Sequence, residues 1–294
     1  MSSRLADRLA TATLWAMAVG VVGLLGLIVA HLLLAALPEL NLSFALGDPS
    51  DVALGGVGPV LWNSVYLLVL TLVITIPLGV LAGIYMAEYA ADGPLTSAIR
   101  FAQEAISSIP SIVVGLFGLI LFVNVLRLGF SALAGAFALT VFNLPLMARL
   151  AEQAIEAVPD DERGGSLALG ATKWQTIRHV VLPLAIPGIV TGVVLTAGRI
   201  FGEAAALLFT AGLATPPHYD FANLNLLDPH SPWSPFRPAT TLAVYIWKTN
   251  SEGLGSFVQQ VADGAAAILL VAVLVFNLGA RLLGRALSRR LTAA

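Results

Sequence analysis

The sequence predicts an all-α integral membrane protein with six transmembrane helices. Of its 294 residues, 58% are hydrophobic and 11% are charged, and the mean hydropathy is +0.89. A soluble domain carries about 25% charged residues. The apolar residues also form runs of about 20, the length that a helix needs to cross a bilayer. The predicted spans cover residues 14–37, 60–87, 107–126, 130–150, 183–211 and 261–284.

The first span and the positive charges predict the orientation of the chain. The run 14–37 follows Arg4 and Arg8, as a secretory signal would, but it is longer than the ~7–15-residue apolar core of a signal peptide. Lys and Arg accumulate in the cytoplasmic loops of membrane proteins. If the six spans alternate, most positive residues share the side of the two termini: Arg4, Arg8, Arg100, Arg149, Arg163, Lys173, Arg178, Arg281, Arg285, Arg289 and Arg290. We therefore predict a multi-pass protein of the cell (cytoplasmic or inner) membrane with both termini in the cytoplasm.

The residue types exclude several kinds of chemistry. The chain has no cysteine, which excludes disulfides and cysteine-ligated metals. Its four histidines are scattered and form no HExxH motif. The stretch Gly279–Ser288 approaches a phosphate-binding loop, but Arg285 stands where lysine is needed and no strand precedes it. We expect no bound metal or cofactor, no catalytic residue and no nucleic-acid partner, so that any nucleotide energy comes from another chain.

The loop 151–183, between spans four and five, is predicted to form two short helices at the membrane surface. Pro159 followed by three acidic residues is typical of a helix start, and Gly170 is typical of a helix end. Thr172 and Gln175 have the spacing of a capping box. The helix that follows has an apolar face made of Trp174, Ile177 and Val181. This element is either an amphipathic connector resting on the headgroups or a docking surface for a cytoplasmic partner.

Two opposite charges interrupt the fifth span. The stretch Thr196–Gly212 reads TAGRIFGEAAALLFTAG and contains Arg199 and Glu203. An arginine near the centre of a span costs roughly 2.5–3.5 kcal/mol on insertion scales, and residues four apart share one face of a helix. The spacing therefore predicts that the two side chains reach each other. They either neutralise one another and clamp helices together, or Arg199 faces the pathway of an anionic substrate while Glu203 holds the guanidinium in place.

Three serines surround a proline at the start of the third span. The stretch ISSIPSIVVG places Ser107, Ser108 and Ser111 around Pro110, which interrupts or starts a helix. Helix starts bind anions through open N–H groups. The serines are therefore either a second anion contact or part of a packing kink in which they bond back to the helix.

The segments predicted to lie outside the cell differ from one another. Six of the sixteen prolines fall between Pro216 and Pro238, together with aromatic residues that a flexible linker would lack. The segment 212–240 is therefore predicted to be an ordered cap. Residues Leu242 to Trp247 are predicted to form an interfacial helix, and the loop 38–59 is predicted to be a plain external loop.

The loop 151–183 resembles the coupling segment of ABC importer permeases. Their pattern is EAA, three residues, Gly, nine residues and I-x-L-P, and Gly170 followed nine residues later by Val180–Pro183 fits this spacing. The EAA positions carry no glutamate here. The resemblance implies the type I importer permease (MetI-like) fold and a contact of this segment with an ATPase. The implied contact residues are Glu162, Arg163, Gly164, Gly165, Ser166, Gly170, Ala171 and Thr172, with Glu162 and Arg163 as candidates to replace the missing glutamate.

The fifth span is similar to the A-type subunits of phosphate transport permeases. These carry R-x-x-G-E followed by TAPLLFTA, and this chain has the same pattern with Ala204 and Ala206 in place of the threonine and the proline. The stretch Pro110–Gly115 is similar to the family's PSIVxG, and Asn277 with Arg281 matches near the end of span six. The resemblance implies a phosphate importer with a substrate pathway lined by Arg199, Glu203, Ser107, Ser108 and Ser111.

The same resemblance implies the partners and the division of the chain. The partners would be a C-type permease subunit, two cytoplasmic ATP-binding subunits that use ATP and Mg, an external phosphate-binding protein and membrane lipid. The alternatives are a permease for sulfate, molybdate or another oxyanion, and a secondary role as a phosphate-sensing scaffold. The predicted parts are an N-terminal segment with the first span and external loop (1–59), the importer transmembrane domain (60–284) and a cytoplasmic tail (285–294).

Overall fold

The computed structural model describes residues 3–49, 55–253 and 258–292, and these residues form helices joined by turns and one long segment, 212–240. The helices, numbered in chain order, are α1 (Ser3–Ala35), α2 (Leu42–Leu46), α3 (Gly58–Ile84), α4 (Pro94–Ser108), α5 (Ser111–Gly118), α6 (Ala132–Glu156), α7 (Asp160–Ala168), α8 (Lys173–Thr176), α9 (Leu182–Phe201), α10 (Ala205–Leu208), α11 (Leu242–Glu252) and α12 (Val258–Thr292). Short π-helical turns continue α3 through Tyr85–Tyr89, continue α5 through Leu119–Val125, and join α8 to α9 through Ile177–Val181.

The described part of the chain holds five helical stretches long and apolar enough to cross a membrane, or six crossings if one bent pair counts as a single span. The five are Asp7–Ala35, Gly58–Tyr89, Ala132–Glu156, Lys173–Phe201 and Val258–Leu282, and the bent pair is Pro94–Ser108 with Ser111–Val125. The predicted all-α membrane fold is confirmed. The predicted sixth span and the described part of the predicted tail, residues 285–292, belong to one helix, α12, which is continuous to Thr292.

The third predicted span, 107–126, is wrong at its beginning. The chain bends by 98° between α4 and α5. Ile109 and Pro110 have extended backbone angles there, because a residue that precedes proline disfavours the helical conformation. Ser107 and Ser108 consequently belong to α4, and Ser111 is the first residue of α5.

The fifth predicted span, 183–211, is wrong at both ends. Its helix begins at Lys173 and passes through Pro183. In the π-helical turn before the proline, the N–H of Leu182 donates to the carbonyl of Ile177, so the hydrogen-bond register has already shifted at the point where the proline lacks an N–H. The helix ends at Phe201, and after three residues the separate helix α10 begins. The span therefore contains a second interruption of the backbone.

The centre of the fold is the contact of α3 with α6, which small residues bring close together. A Cβ atom placed on Gly83 would lie 2.6 Å from the Cβ of Ala151 and 2.7 Å from the backbone nitrogen of Glu152. A Cβ on Gly79 would lie 2.5 Å from Met147 Cγ. Helix pairs in membranes use such small residues because packing, rather than hydrophobic exclusion, holds them together. In contrast, α1 is exposed along its apolar length.

Candidate translocation and coupling sites

The breaks in the two interrupted spans lie next to each other. The helices α5 and α10 pack side by side and run in the same direction: a Cβ on Gly115 would lie 2.8 Å from Ala206 Cα, and one on Gly118 would lie 2.7 Å from Thr210 Cγ2. One turn back from these contacts lie the break before Ser111 and the break at Glu203. At membrane depth, non-helical backbone is tolerated where protein covers it or where it lines a water-filled cavity. The paired breaks are therefore a candidate constriction.

The predicted pairing of Arg199 with Glu203 is wrong. Both residues lie in the described range 55–253, and no ion pair joins their side chains there. Because α9 ends at Phe201, Glu203 leaves the helical register that the four-residue spacing presumed. Its Oε1 instead accepts a hydrogen bond from the backbone N–H of Ala206 at 3.2 Å, at the start of α10.

Arg199 stacks on an aromatic ring. Its guanidinium carbon lies 3.9 Å from the ring centre of Phe142, which α6 contributes. A cation over an aromatic face gains about 0.5–2 kcal/mol, and the ring does not neutralise its charge. The side chain is half-buried. Arg199 therefore lies beside the interrupted backbone on an aromatic ring, with no carboxylate paired to it among the described residues.

The three predicted serines divide into two groups. Ser107 and Ser108 line a cavity of about 310 Å³ between α4 and α6, whereas Ser111 lies beyond the bend. The hydroxyl of Ser108 donates to the carbonyl of Ala105 at 2.8 Å, as in the packing-kink alternative. The cavity is also lined by Arg100, Gln103, Glu104, Pro145, Leu146 and Arg149.

A buried carboxylate joins α4 to α6 beside this cavity. Glu152 is 2% exposed; its Oε1 lies 2.7 Å from Arg100 Nη2, and its Oε2 lies 3.7 Å from Arg149 Nη1. Residues 100 and 152 come from separate helices, so sequence spacing gave no signal for this contact. The ion pair fixes the otherwise exposed helix α4 against the core.

The coupling segment has the predicted local structure. Pro159 precedes α7, whose first turn carries the three acids, and Gly170 has a φ of +87°. Thr172 and Gln175 form both hydrogen bonds of the capping box at the start of α8. The elbow between the two helices is exposed, with Leu169 91% accessible. The segment predicted as the loop 151–183 is thus helical at both ends, since α6 extends to Glu156 and α8 begins at Lys173.

The predicted coupling residues have different environments. Ser166 Oγ lies 2.9 Å from Thr176 Oγ1 and links α7 to α8. Trp174 is half exposed, whereas Ile177 and Val181 are buried, so the predicted apolar face divides between core and surface. The remaining predicted residues are exposed or half-buried around the elbow: Glu162, Gly164, Gly165, Ala171 and Thr172.

Arg163 is the anchor of the coupling segment. Its Nε donates to Glu88 Oε1 at 3.0 Å and its Nη2 donates to the carbonyl of Ile155 at 2.7 Å. Its Nη1 donates to the carbonyl of Val158 and to Asp160 Oδ1. One side chain thus joins α6 and α7 to the π-helical turn that continues α3, and no sequence pattern predicts the role of Glu88.

A substitution at the elbow tests the effect of backbone conformation separately from packing. Gly170→Ala places a Cβ in open space but forces a positive φ, which costs about 1–2 kcal/mol. Gly165→Ala is the matched control, because it lies inside α7, also faces open space, and gains about 0.5–1 kcal/mol. We expect amide hydrogen exchange in residues 160–176 to be faster in the first variant and slower in the second. Equal exchange in both would show that the turn imposes no conformational demand.

The segment 212–240 is ordered, as the sequence predicts for the cap, and it is built on a buried arginine. Arg237 is 0% exposed; its Nη1 donates to Asn63 Oδ1 at 2.7 Å and to the hydroxyl of Tyr219 at 2.6 Å, and its Nη2 donates to the carbonyl of Pro232 at 2.8 Å. The guanidinium also lies over the rings of Tyr219 and Tyr66. Among the described residues no carboxylate pairs with it. Burial lowers the pKa of Arg237 and raises the pKa of Tyr219.

The cap is attached to the interrupted fifth span. The N–H of Ala132, at the start of α6, donates to the carbonyl of Arg237 at 2.9 Å, and the N–H of Ala239 donates to the carbonyl of Ala211 at 3.0 Å. The prediction of a plain external loop at 38–59 is wrong over its described residues. That loop contains α2, buries Phe44, and reaches the cap through Asp48 Oδ2, 3.0 Å from His218 Nδ1.

Comparison with known proteins assigns the family. Residues 79–293 match the family described as binding-protein-dependent transport system inner membrane component. The chain belongs to this family of ABC importer permeases. The permease is 46% identical to the probable ABC transporter permease YqgI of Bacillus subtilis across the whole of both chains. It is 35% identical to the phosphate transport system permease PstA of Xylella fastidiosa (strain 9a5c) over 84% of this chain and 81% of that one, and 33% identical to PstA 1 of Mycobacterium tuberculosis (strain H37Rv) over 80% and 72%.

Solved structures share the permease's fold. A chain of the inward-facing methionine ABC transporter MetNI has a TM-score of 0.60 at 22% identity and covers 79% of the permease and 95% of itself. A chain of the bacterial alginate ABC transporter with its periplasmic protein has a TM-score of 0.65 at 17% identity and covers 96% of each. Permeases of this family work with ATP-binding and substrate-binding partners, and the permease is a multi-pass membrane subunit of that kind.

Proposed function

We propose that the permease imports inorganic phosphate as half of the translocation pathway of an ATP-driven importer. The observation that carries this proposal is Arg199, a cation beside two interrupted spans with no carboxylate partner among the described residues. A guanidinium matches the oxygens of an oxyanion and keeps its charge away from water. The curated relatives named as PstA phosphate permeases support phosphate as that anion.

The pathway follows from where the charges lie. Phosphate passes the paired breaks, where Arg199 attracts it and Ser111 starts the neighbouring helix. A transported ion must bind weakly enough to leave, and the nearby carboxylate of Glu203 limits the attraction. On the cytoplasmic side, the cavity lined by Ser107 and Ser108 receives the ion next to the positive side chains that border it.

The partners and orientation complete the proposal. A C-type permease subunit forms the other half of the pathway, an external phosphate-binding protein delivers the substrate, and two cytoplasmic ATP-binding subunits use ATP and Mg. Their hydrolysis moves the coupling segment around Gly170, whose exposed elbow suits a docking role. Both termini lie in the cytoplasm, in agreement with the positive-residue distribution. The permease itself contributes no ATPase site.

The test is ATP-dependent phosphate uptake in vesicles that contain the complete importer. Arg199→Gln keeps much of the side-chain volume and removes the charge, so we expect uptake to fall by at least about 100-fold while the complex still assembles. Arg199→Lys retains charge without the planar fork and should recover part of the loss. Arg8→Gln, at an exposed position of α1, is the control and should transport normally.

Excess sulfate or molybdate in the same assay tests the substrate. Uptake of labelled phosphate that resists both ions supports a phosphate importer. Uptake that either ion abolishes would assign the permease to another oxyanion. Normal transport by an assembled Arg199→Gln complex would exclude Arg199 from the pathway.

A further inference from the structure

Both arms of the coupling segment converge on the cytoplasmic end of the second span. From α7, Arg163 Nε lies 3.0 Å from Glu88 Oε1. From the start of α8, Lys173 Nζ donates to the backbone carbonyl of Glu88 and lies 4.9 Å from the ring centre of Tyr89. The two arms lie on opposite sides of Gly170, so an element that docks at the elbow acts on both.

We propose that Glu88 is a positioning residue that makes the second span move together with the coupling segment. This inference rests on the proposed function, in which ATP hydrolysis moves that segment. It adds a defined route for the motion: from the coupling segment through Glu88 into α3.

The hydrogen bonds of Arg163 make the connection between the coupling segment and α3 rigid. The guanidinium is planar, and its three nitrogens are all engaged, with Glu88, the carbonyl of Ile155 and the carbonyl of Val158. A planar fork held at three points transmits both translation and rotation. The pair is shielded, with Glu88 10% exposed and Arg163 19% exposed, so water and salt weaken it less than a surface pair.

Without the Glu88 carboxylate, the coupling segment still contacts α3 through apolar packing on Ile84 and through the Lys173 hydrogen bond to the Glu88 carbonyl, which hold it less rigidly than the charged contact does. It keeps the carbonyl contacts at Ile155 and Val158 and the apolar cluster that includes Ile177 and Val181. The segment would therefore stay folded, and the complex would still assemble. What it loses is the charged contact with α3, the helix whose outer end carries Asn63 and so contacts the cap.

The experiment compares substrate uptake with ATP hydrolysis in the same vesicles. We expect Glu88→Gln and Arg163→Gln complexes to hydrolyse ATP, while phosphate taken up per ATP falls about five- to tenfold. The double variant should be no worse than either single one, and the exchange Glu88→Arg with Arg163→Glu should restore part of the ratio. Asp92→Asn, at an exposed carboxylate four residues beyond Glu88, is the matched control and should keep the ratio.

A distance measurement tests the same inference without reference to the substrate. Because the chain has no cysteine, spin labels can be placed at Leu81→Cys in α3 and Asp161→Cys in α7. If Glu88 joins the second span to the coupling segment, the distance between the two labels is the same with and without ATP. In the Glu88→Gln variant, this distance should differ between the two conditions.

The outcomes separate the two proposals. A label distance that changes with ATP in the otherwise native permease, or an unchanged uptake ratio in Glu88→Gln, overturns the role of Glu88. A parallel fall of uptake and ATP hydrolysis would also overturn it, because the carboxylate would then be structural. If the importer takes up no phosphate while its label distances behave as expected, the phosphate assignment is overturned and the role of Glu88 is retained.

Discussion

Arg237→Met is expected to destabilise the permease by about 4 kcal/mol or more. The arginine is 0% exposed, and methionine would fill most of its volume without donating a hydrogen bond. Asn63 Oδ1 would keep the hydroxyl of Tyr219 as a donor and the carbonyl of Pro232 would keep Trp62 Nε1. All three groups would lose their hydrogen bond to the guanidinium, and hydrogen bonds to charged groups contribute about 1.5–3 kcal/mol each. Arg237→Lys should be less severe, because one ammonium reaches only part of this set.

Thermal unfolding and limited proteolysis of the purified complex would check this result. The variant should unfold at a lower temperature and become sensitive to cleavage within residues 212–240. Arg127→Met is the control, because Arg127 is exposed on the same predicted outer side. Equal stability of the two variants would mean that the arginine network contributes little to the cap.

Gly83→Leu is expected to prevent the close approach of α3 and α6. The first added carbon would already lie 2.6 Å from Ala151 Cβ and 2.7 Å from the backbone nitrogen of Glu152. Since backbone atoms of a long helix do not move aside, the helices must separate, at an expected cost of about 3 kcal/mol or more. The yield of assembled complex in native electrophoresis should therefore fall sharply.

A control variant and a compensating substitution test this prediction further. Gly23→Leu adds the same side chain to α1, where a Cβ meets nothing within 4 Å, and should leave assembly unchanged. Gly83→Ala should show a milder defect, and adding Ala151→Gly should recover only part of it because the contact with the Glu152 backbone remains. Full assembly of Gly83→Leu would contradict the described packing.

The predictions that held depend on residues near one another in the chain. The capping box of Thr172 and Gln175 involves residues three apart, and the turn at Gly170 depends on a local backbone preference. The ordered cap followed from its proline and aromatic content. The capping box and the turn are determined largely before tertiary contacts form, so a single sequence is enough to predict them. For the cap, the composition predicts order but not the distant contact of Arg237 with Asn63 that holds it.

The predictions that failed presumed an uninterrupted helix. The spacing of Arg199 and Glu203 predicts a pair only if α9 continues, and whether it continues depends on the packing of α10 against α5. The anchoring contacts join distant residues, with Glu88 and Arg163 75 positions apart. Without an alignment, a single sequence holds no signal that pairs them.

The contact of Asn63 with Arg237 also sets an order of events during synthesis. The two residues are 174 positions apart, and a ribosome adds about 5–20 residues per second. Asn63 is therefore translated about 9–35 s before the arginine that it binds. During that interval the first turns of α3 carry an amide whose final partner does not yet exist, so water or neighbouring groups must satisfy it. The cap of the permease is thus completed late in translation, after the central helices α3 and α6 have been made.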